Sequence, residues 1–447
     1  MTHRKGNGRS LKRLARFFLI SIVLALLLSA CEAINLEIPW LSQDAPTATV
    51  APGEEQDETP APEPTPTLEP TPEEVTSLNL WVPPSMDPAL ETDASQLLMN
   101  QLDLFSDLHD GIEVNVRVKA ASGAGGLLDS LTATSAAAPD ALPDLIALTR
   151  PDLETAALKG LIYPMDGLTE IPDDSDWFEF TRDMALLQGS TFGLPFASDA
   201  LGLVYRTELI PELPNSWSSL MGAEIPLAFP GESDQSLFPL ALYLSAGGSI
   251  QDNQRRPILE VAPLSDVFYV IQEGVTAGTL VEASTQFQTM GQAWTAFNDG
   301  QADLVATWIS NYLTEGTTDM TLTPLLPISD GVVSLGTGTC WALATSKTYR
   351  HPMAVELAEF LVQPEFISDW SAAAGVLPTR PSALDKWQGQ SLVTKLNQIA
   401  NITQLIPSND LIASLGPVLR DGSRQVLQGL VDPAQAAQVS VESLEEQ

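Results

Sequence analysis

Cysteine is nearly absent from this 447-residue chain, which has only Cys31 and Cys340. Two thiols cannot build a disulfide framework, so a packed core must hold the fold. Histidine is almost as scarce, at three residues, His3, His109 and His351. No Ser/His/Asp constellation, HExxH pair, Walker loop or clustered metal-ligand spacing occurs, and Cys340 has no histidine near it in sequence. An enzyme is therefore not expected, although the 57 Asp and Glu residues leave room for a glycosidase-like carboxylate pair. No cofactor and no metal are expected. Positive charge is the third shortage: 21 Lys and Arg face those 57 acids, for a net charge of −36. Phosphate backbones repel such a chain, which excludes nucleic acid as a partner. Nor is the uncharged run Phe17 to Ala30, 14 residues, long enough to span a membrane, which takes about 20 apolar residues.

What is present at the start is a positive segment (Arg4, Lys5, Arg9, Lys12, Arg13, Arg16) followed by that short run, the pattern of a secretory signal over residues 1–30. Leu28, Ser29 and Ala30 then precede Cys31, and this resembles the lipobox of bacterial lipoproteins. The resemblance implies cleavage before Cys31 and acylation of its thiol, anchoring the chain to the outer face of the cytoplasmic membrane; several acyl chains give stable attachment where one is marginal. With Cys31 committed to lipid, Cys340 has no intramolecular partner and reads as a small buried hydrophobe. Loss of the six basic residues leaves 15 against 57 acids, a charge of −42, so contact with anionic lipid is expected through the anchor only.

Residues 31–76 read as the lipidated cysteine and a tether. From Asp44 to Thr76 there are eight prolines, nine acids, seven threonines and no basic residue. Such a stretch cannot bury a core and is expected as a stiff, self-repelling spacer.

The globular part then runs from Ser77 to the C-terminus, long enough for two lobes. Residues 77–82 read as a strand, 93–108 as a helix, 112–118 as an alternating strand and 143–148 as a buried strand. Strands separated by helix-length segments imply α/β architecture with a mostly parallel sheet, whose ligands bind beyond the strand C-terminal ends. That rule singles out Trp81 and Ser85, Ser122, and Thr149 with Arg150.

Residues 142–168 (LPDLIALTRPDLETAALKGLIYPMDGL), 189–209 (GSTFGLPFASDALGLVYRTEL), 213–220 (LPNSWSSL), 293–311 (AWTAFNDGQADLVATWISN) and 336–380, opening on GTGTCW and closing on GVLPTR, follow in an order similar to the extracellular solute-binding proteins typified by maltose-binding protein. Phe192, Glu208, Asp303 and Leu304 depart from the family pattern. The resemblance covers residues 77–447 and implies a two-lobed periplasmic-binding-protein-like fold of type II, with mostly parallel sheets and a hinge. One lobe is expected over 77–197 plus 331–377, the other over 198–330 plus 378–447, with crossings near Ala197 and near Pro327 to Gly331. It further implies capture of a small solute, a carbohydrate before others, by a monomer that delivers it to an ABC transporter permease. A sensor or adhesion lipoprotein on the same fold is the alternative, as is a non-sugar solute. A ferric site would gather tyrosines, and the six here are widely separated.

Sugar sites combine stacked aromatics with hydrogen-bonding carboxylates, amides and arginine. Trp81, Trp308 and Trp341 are the aromatic candidates by their motif positions. Asp199 follows the first crossing as an acceptor for hydroxyls, and Arg150 is a donor. Gln235 and Ser236 resemble the contact loop of the second lobe. Asn409 and Asp410 close the far side.

Overall fold

Residues 77–82 alternate, and the strand they form sends Leu78, Leu80 and Val82 into one apolar cluster and Trp81 into another on the opposite face. The computed structural model describes residues 74–446 except 110, 281, 329 and 330. The signal, Cys31 and nearly all of the tether lie outside the described residues.

Ser77–Val82 pairs in parallel with Glu113–Val118 and with Leu145–Thr149. Between them run the helices Asp93–Leu108 and Leu127–Ala137, which cover opposite faces of these strands. The first is capped by Thr92, whose hydroxyl oxygen accepts from the Ser95 amide at 3.2 Å.

Two long strands join this half to the rest. Leu194–Arg206 pairs antiparallel with Ser334–Leu343 through its first half, and with Leu304–Trp308 and Met320–Thr323 through its second. The full order is 113–118, 77–82, 145–149, 334–343, 194–206, 304–308 and 227–228, with 403–405 on the fourth strand and 320–323 on the fifth. The outer pairs are parallel and the joining strands antiparallel.

Apolar side chains separate into four clusters, two on each half of the sheet. Leu98, Phe105, Trp341 and Trp370 pack on one face of the first half; Trp81, Leu131, Leu148 and Cys340 pack on the other. On the second half, Leu201, Leu203, Phe238, Phe268 and Leu415 lie on one face, and Ala200, Val204, Phe297 and Ile399 on the other. The sharing of one strand explains the split: Leu194, Phe196 and Ala197 belong to the first half, whereas Ala200 to Val204 belong to the second. Phe178 and Phe180 pack with the second half although they precede this passage in sequence.

A third segment runs beside the first. Ser198 and Leu377 exchange backbone hydrogen bonds at 3.0 Å each, and the Ser198 hydroxyl donates to the Leu377 carbonyl at 2.9 Å. Arg380, 3% exposed, locks the same region by donating to Asp174 at 3.1 Å and lying 3.9 Å over the Trp177 ring. No helix among the described residues is long and apolar enough to cross a membrane.

Candidate functional site

Where the two halves meet, a cleft of ≈620 Å³ opens, walled by Thr149 and Pro151, by Ala197–Asp199, by Asp234 and Gln235, by Trp308, by Thr337–Thr339 and by one face of the helix Asn409–Leu427. It lies beyond the C-terminal ends of the strands Leu145–Thr149 and Leu304–Trp308, as the open α/β rule requires.

Asp199 and Trp308 are its two polar-aromatic landmarks. Leu201 pairs with Trp308 across the sheet, which brings Asp199 against the turn that follows Trp308. Its Oδ1 accepts from the Ala200 amide at 2.9 Å and the Ser310 amide at 3.1 Å. Burial nevertheless pushes the carboxyl up to about 6, against the opposing pull of the Ser310 and Ala200 donors. Trp308 is half-buried, one part of the ring packed on the second-half core and the rest facing the cleft.

Opposite walls are joined by Asn409. Its side-chain amide donates to the Pro151 carbonyl at 2.9 Å and the Thr155 hydroxyl at 3.3 Å, while its backbone N–H points at both oxygens of Glu154, 3.2 and 3.3 Å away. Glu154 is 7% exposed and lies 3.6 Å from Arg150. The wall carries no lysine, arginine or histidine among the described residues. Asp234 is the second acid on it, and that carboxylate pairs with Arg420.

Thr149, Asp199, Gln235, Trp308 and Asn409 are thus brought together from the sequence candidates. The others stand elsewhere. Trp341 is core: it is 1% exposed and stacks on Phe196 with ring centroids 4.3 Å apart. Trp81, 2% exposed, faces the helix Leu127–Ala137 and carries the Lys119 ammonium 4.7 Å from its ring centre. Arg150 is buried, and desolvation lowers its pKa, with Glu154 opposing. Ser236 is spent on structure, donating to the Gly416 carbonyl at 2.9 Å. Asp410 is exposed beside the Ser408 hydroxyl. Ser122 lines a separate cavity of ≈390 Å³ with Asp129, Asp152 and Lys159. Ser85 lines a third, of ≈300 Å³, that shares Ala197, Thr339 and Val376 with the main cleft.

Sequence reasoning missed the apolar wall, Val376, Ile406, Ile412, Ala413 and Pro417. Only Pro417 carried a signal, being a proline inside a helix of 19 residues. Cys340 is fully buried and its thiol is pushed up to about 12, which makes it inert.

Residues 101–396 match the family described as bacterial extracellular solute-binding protein. Among curated protein sequences none matches. Solved structures share the fold. The GacH receptor of Streptomyces glaucescens superposes with a TM-score of 0.62 at 17% identity, covering 84% of this chain and 98% of its own. The cyclic alpha-maltosyl-1,6-maltose binding protein of Arthrobacter globiformis gives 0.68 at 14%, covering 83% and 99%. The sugar-binding protein MalE of Xanthomonas citri gives 0.67 at 18%, covering 83% and 97%.

Proposed function

Because the chain belongs to the bacterial extracellular solute-binding proteins, we propose that it captures a small polyhydroxylated solute, a carbohydrate, in the cleft between Thr149 and Asn409 and hands it to an ABC transporter permease. The observation that carries this reading is the meeting of Trp308 and Asp199 in one cleft. An exposed indole face offers a platform for a sugar ring, and a carboxylate held by backbone amides accepts hydroxyl hydrogens from its rim. Solved structures of the same fold are named for maltodextrins and related sugars, which supports the same solute class.

Mechanistically, the lobes 77–197 plus 331–377 and 198–330 plus 378–447 close on the solute about the strands they share. Solute contacts made with both walls at once favour the closed state, so binding is a shift of population. The protein works as a monomer outside the cytoplasm. Acylated Cys31 holds it to the membrane, and residues 44–76 space the lobes from the surface.

The test is a thermal-shift screen of mono- and oligosaccharides followed by calorimetry. A ligand at 100 times its Kd stabilises the folded state by about 2.7 kcal/mol, a readable rise in Tm. A sugar panel with no hit, together with a hit among amino acids or peptides, rejects the carbohydrate reading.

A further inference from the structure

The helix Asn409–Leu427 contains a proline at the wall of the cleft. Asn409, Ala413 and Pro417 all line that wall, at the spacing that keeps three side chains on one helical face. Proline has no N–H, so the hydrogen bond that would run from residue 417 to the carbonyl of Ala413 cannot form, and the pyrrolidine ring pushes that carbonyl outward. Among the described residues no backbone amide outside this helix donates to it instead. In a helix the carbonyl of one residue points toward the residue four positions on, and here both ends of that line face the cleft. Ala413 itself is exposed.

The local sequence accommodates this arrangement. Gly416 precedes the proline, where a side chain would disfavour helical backbone. A Cβ at Gly416 would also stand 2.1 Å from the Asp234 carbonyl oxygen, so the position tolerates only glycine. The Ser236 hydroxyl ties the Gly416 carbonyl at 2.9 Å, so the turn around the proline is pinned from behind.

We propose that the carbonyl oxygen of Ala413, released from the helix by Pro417, is a hydrogen-bond acceptor for the solute. The inference rests on the carbohydrate reading of the cleft and narrows it. Asp199, when ionised, and the Ala413 carbonyl are then two acceptors with no donating capacity on residues that line one cleft, whose wall holds no basic residue among the described residues. The solute they suit offers hydroxyl or ammonium hydrogens to both sides and carries no carboxylate or phosphate.

The test compares the mature chain with Pro417→Ala and Pro417→Val, both of which restore the N–H; the second keeps apolar bulk at the wall. Binding of glucose, galactose, xylose, maltose and maltotriose is measured by calorimetry, and ligand-free crystals of the parent and Pro417→Ala are compared. Expected are a higher Tm in the alanine variant, an affinity lower by about 3- to 10-fold in both variants, and a water on the Ala413 oxygen in the parent that is lost in Pro417→Ala. Stability and affinity moving in opposite directions is a pattern that a purely structural proline does not produce. Unchanged affinity in both variants for a sugar that Trp308→Ala weakens overturns the proposal and leaves the carbohydrate reading standing. A parent crystal in which the Ala413 oxygen meets a protein donor overturns it as well, whether or not any sugar binds. If no sugar in the panel binds, the carbohydrate reading fails, and the water on Ala413 alone decides whether the acceptor exists.

Discussion

The side-chain amide of Asn409 donates to the carbonyl of Pro151 at 2.9 Å, and both residues line the cleft. One partner begins the helix that packs with Leu411 and Leu415; the other begins the helix that packs with Leu153 and Ala156. The bond therefore ties the two halves of the molecule without passing through the shared strands.

Asn409→Ala removes the side-chain bonds to Pro151 and Thr155 and keeps the backbone contact with Glu154. The ligand-free protein should widen, raising its radius of gyration in solution scattering. Loss of about 1 kcal/mol of closure energy lowers solute affinity by about fivefold. Identical scattering profiles for the variant and parent would show that the tie does not hold the halves.

Two tryptophans should respond in opposite ways. Trp308→Ala is expected to weaken solute binding by about 1–3 kcal/mol with a small change in Tm, because a platform is lost and the core is only grazed. Trp341→Ala empties a site between Phe196 and the surrounding core and should cost about 3–5 kcal/mol of stability. Chemical denaturation and calorimetry on both variants check the pair; a Trp308 variant that binds the solute at parental affinity contradicts the cleft assignment.

Asp199 sets a pH dependence. Burial raises its carboxyl from the ordinary 3.8 to about 6. The folded state thus holds a proton that the unfolded chain releases earlier. Its stabilising contribution is full below the unfolded value and is lost as pH rises through about 6, by at most about 3 kcal/mol. Asp199→Asn should flatten this part of the stability profile. Solute hydroxyls favour the ionised form, so binding near pH 6 should release a proton, and affinity should fall as pH drops below that. Calorimetry in buffers of different ionisation heat reads the release directly; no release at pH 6 would mean the solute does not touch this carboxylate.

Anchoring is tested at Cys31. Its thiol is the only acyl acceptor beside the short apolar run, so Cys31→Ser should abolish lipid labelling and move the protein out of the membrane fraction or strand its precursor. Labelling that persists in the variant would assign the attachment to another group.

Much of this was legible in residue order. The strands at 77–82, 112–118 and 143–148 and the helix at 93–108 follow from local periodicity, because alternation and helical spacing depend only on near neighbours. The tether over 31–76 is an expectation from composition alone, since chain that cannot bury apolar surface cannot fold, and nearly all of it lies outside the described residues. Asp199 and Trp308 were reachable as residues at strand ends and crossings. Trp81 and Trp341 were not separable from Trp308 on that basis. All three are strand residues, but alternation says only that neighbours face opposite ways, not which face meets helices and which meets solvent. That depends on layers brought in from distant segments: the helix Leu127–Ala137 covers Trp81, and Phe196, itself packed against Trp370, stacks on Trp341. The contact of Asn409 with Pro151 spans 258 positions of chain, and the place of Ala413 and Pro417 on the cleft wall depends on where a whole helix docks. Tertiary packing decided these, because long-range contacts are set by the combined fit of many side chains and leave no periodic trace in any one segment.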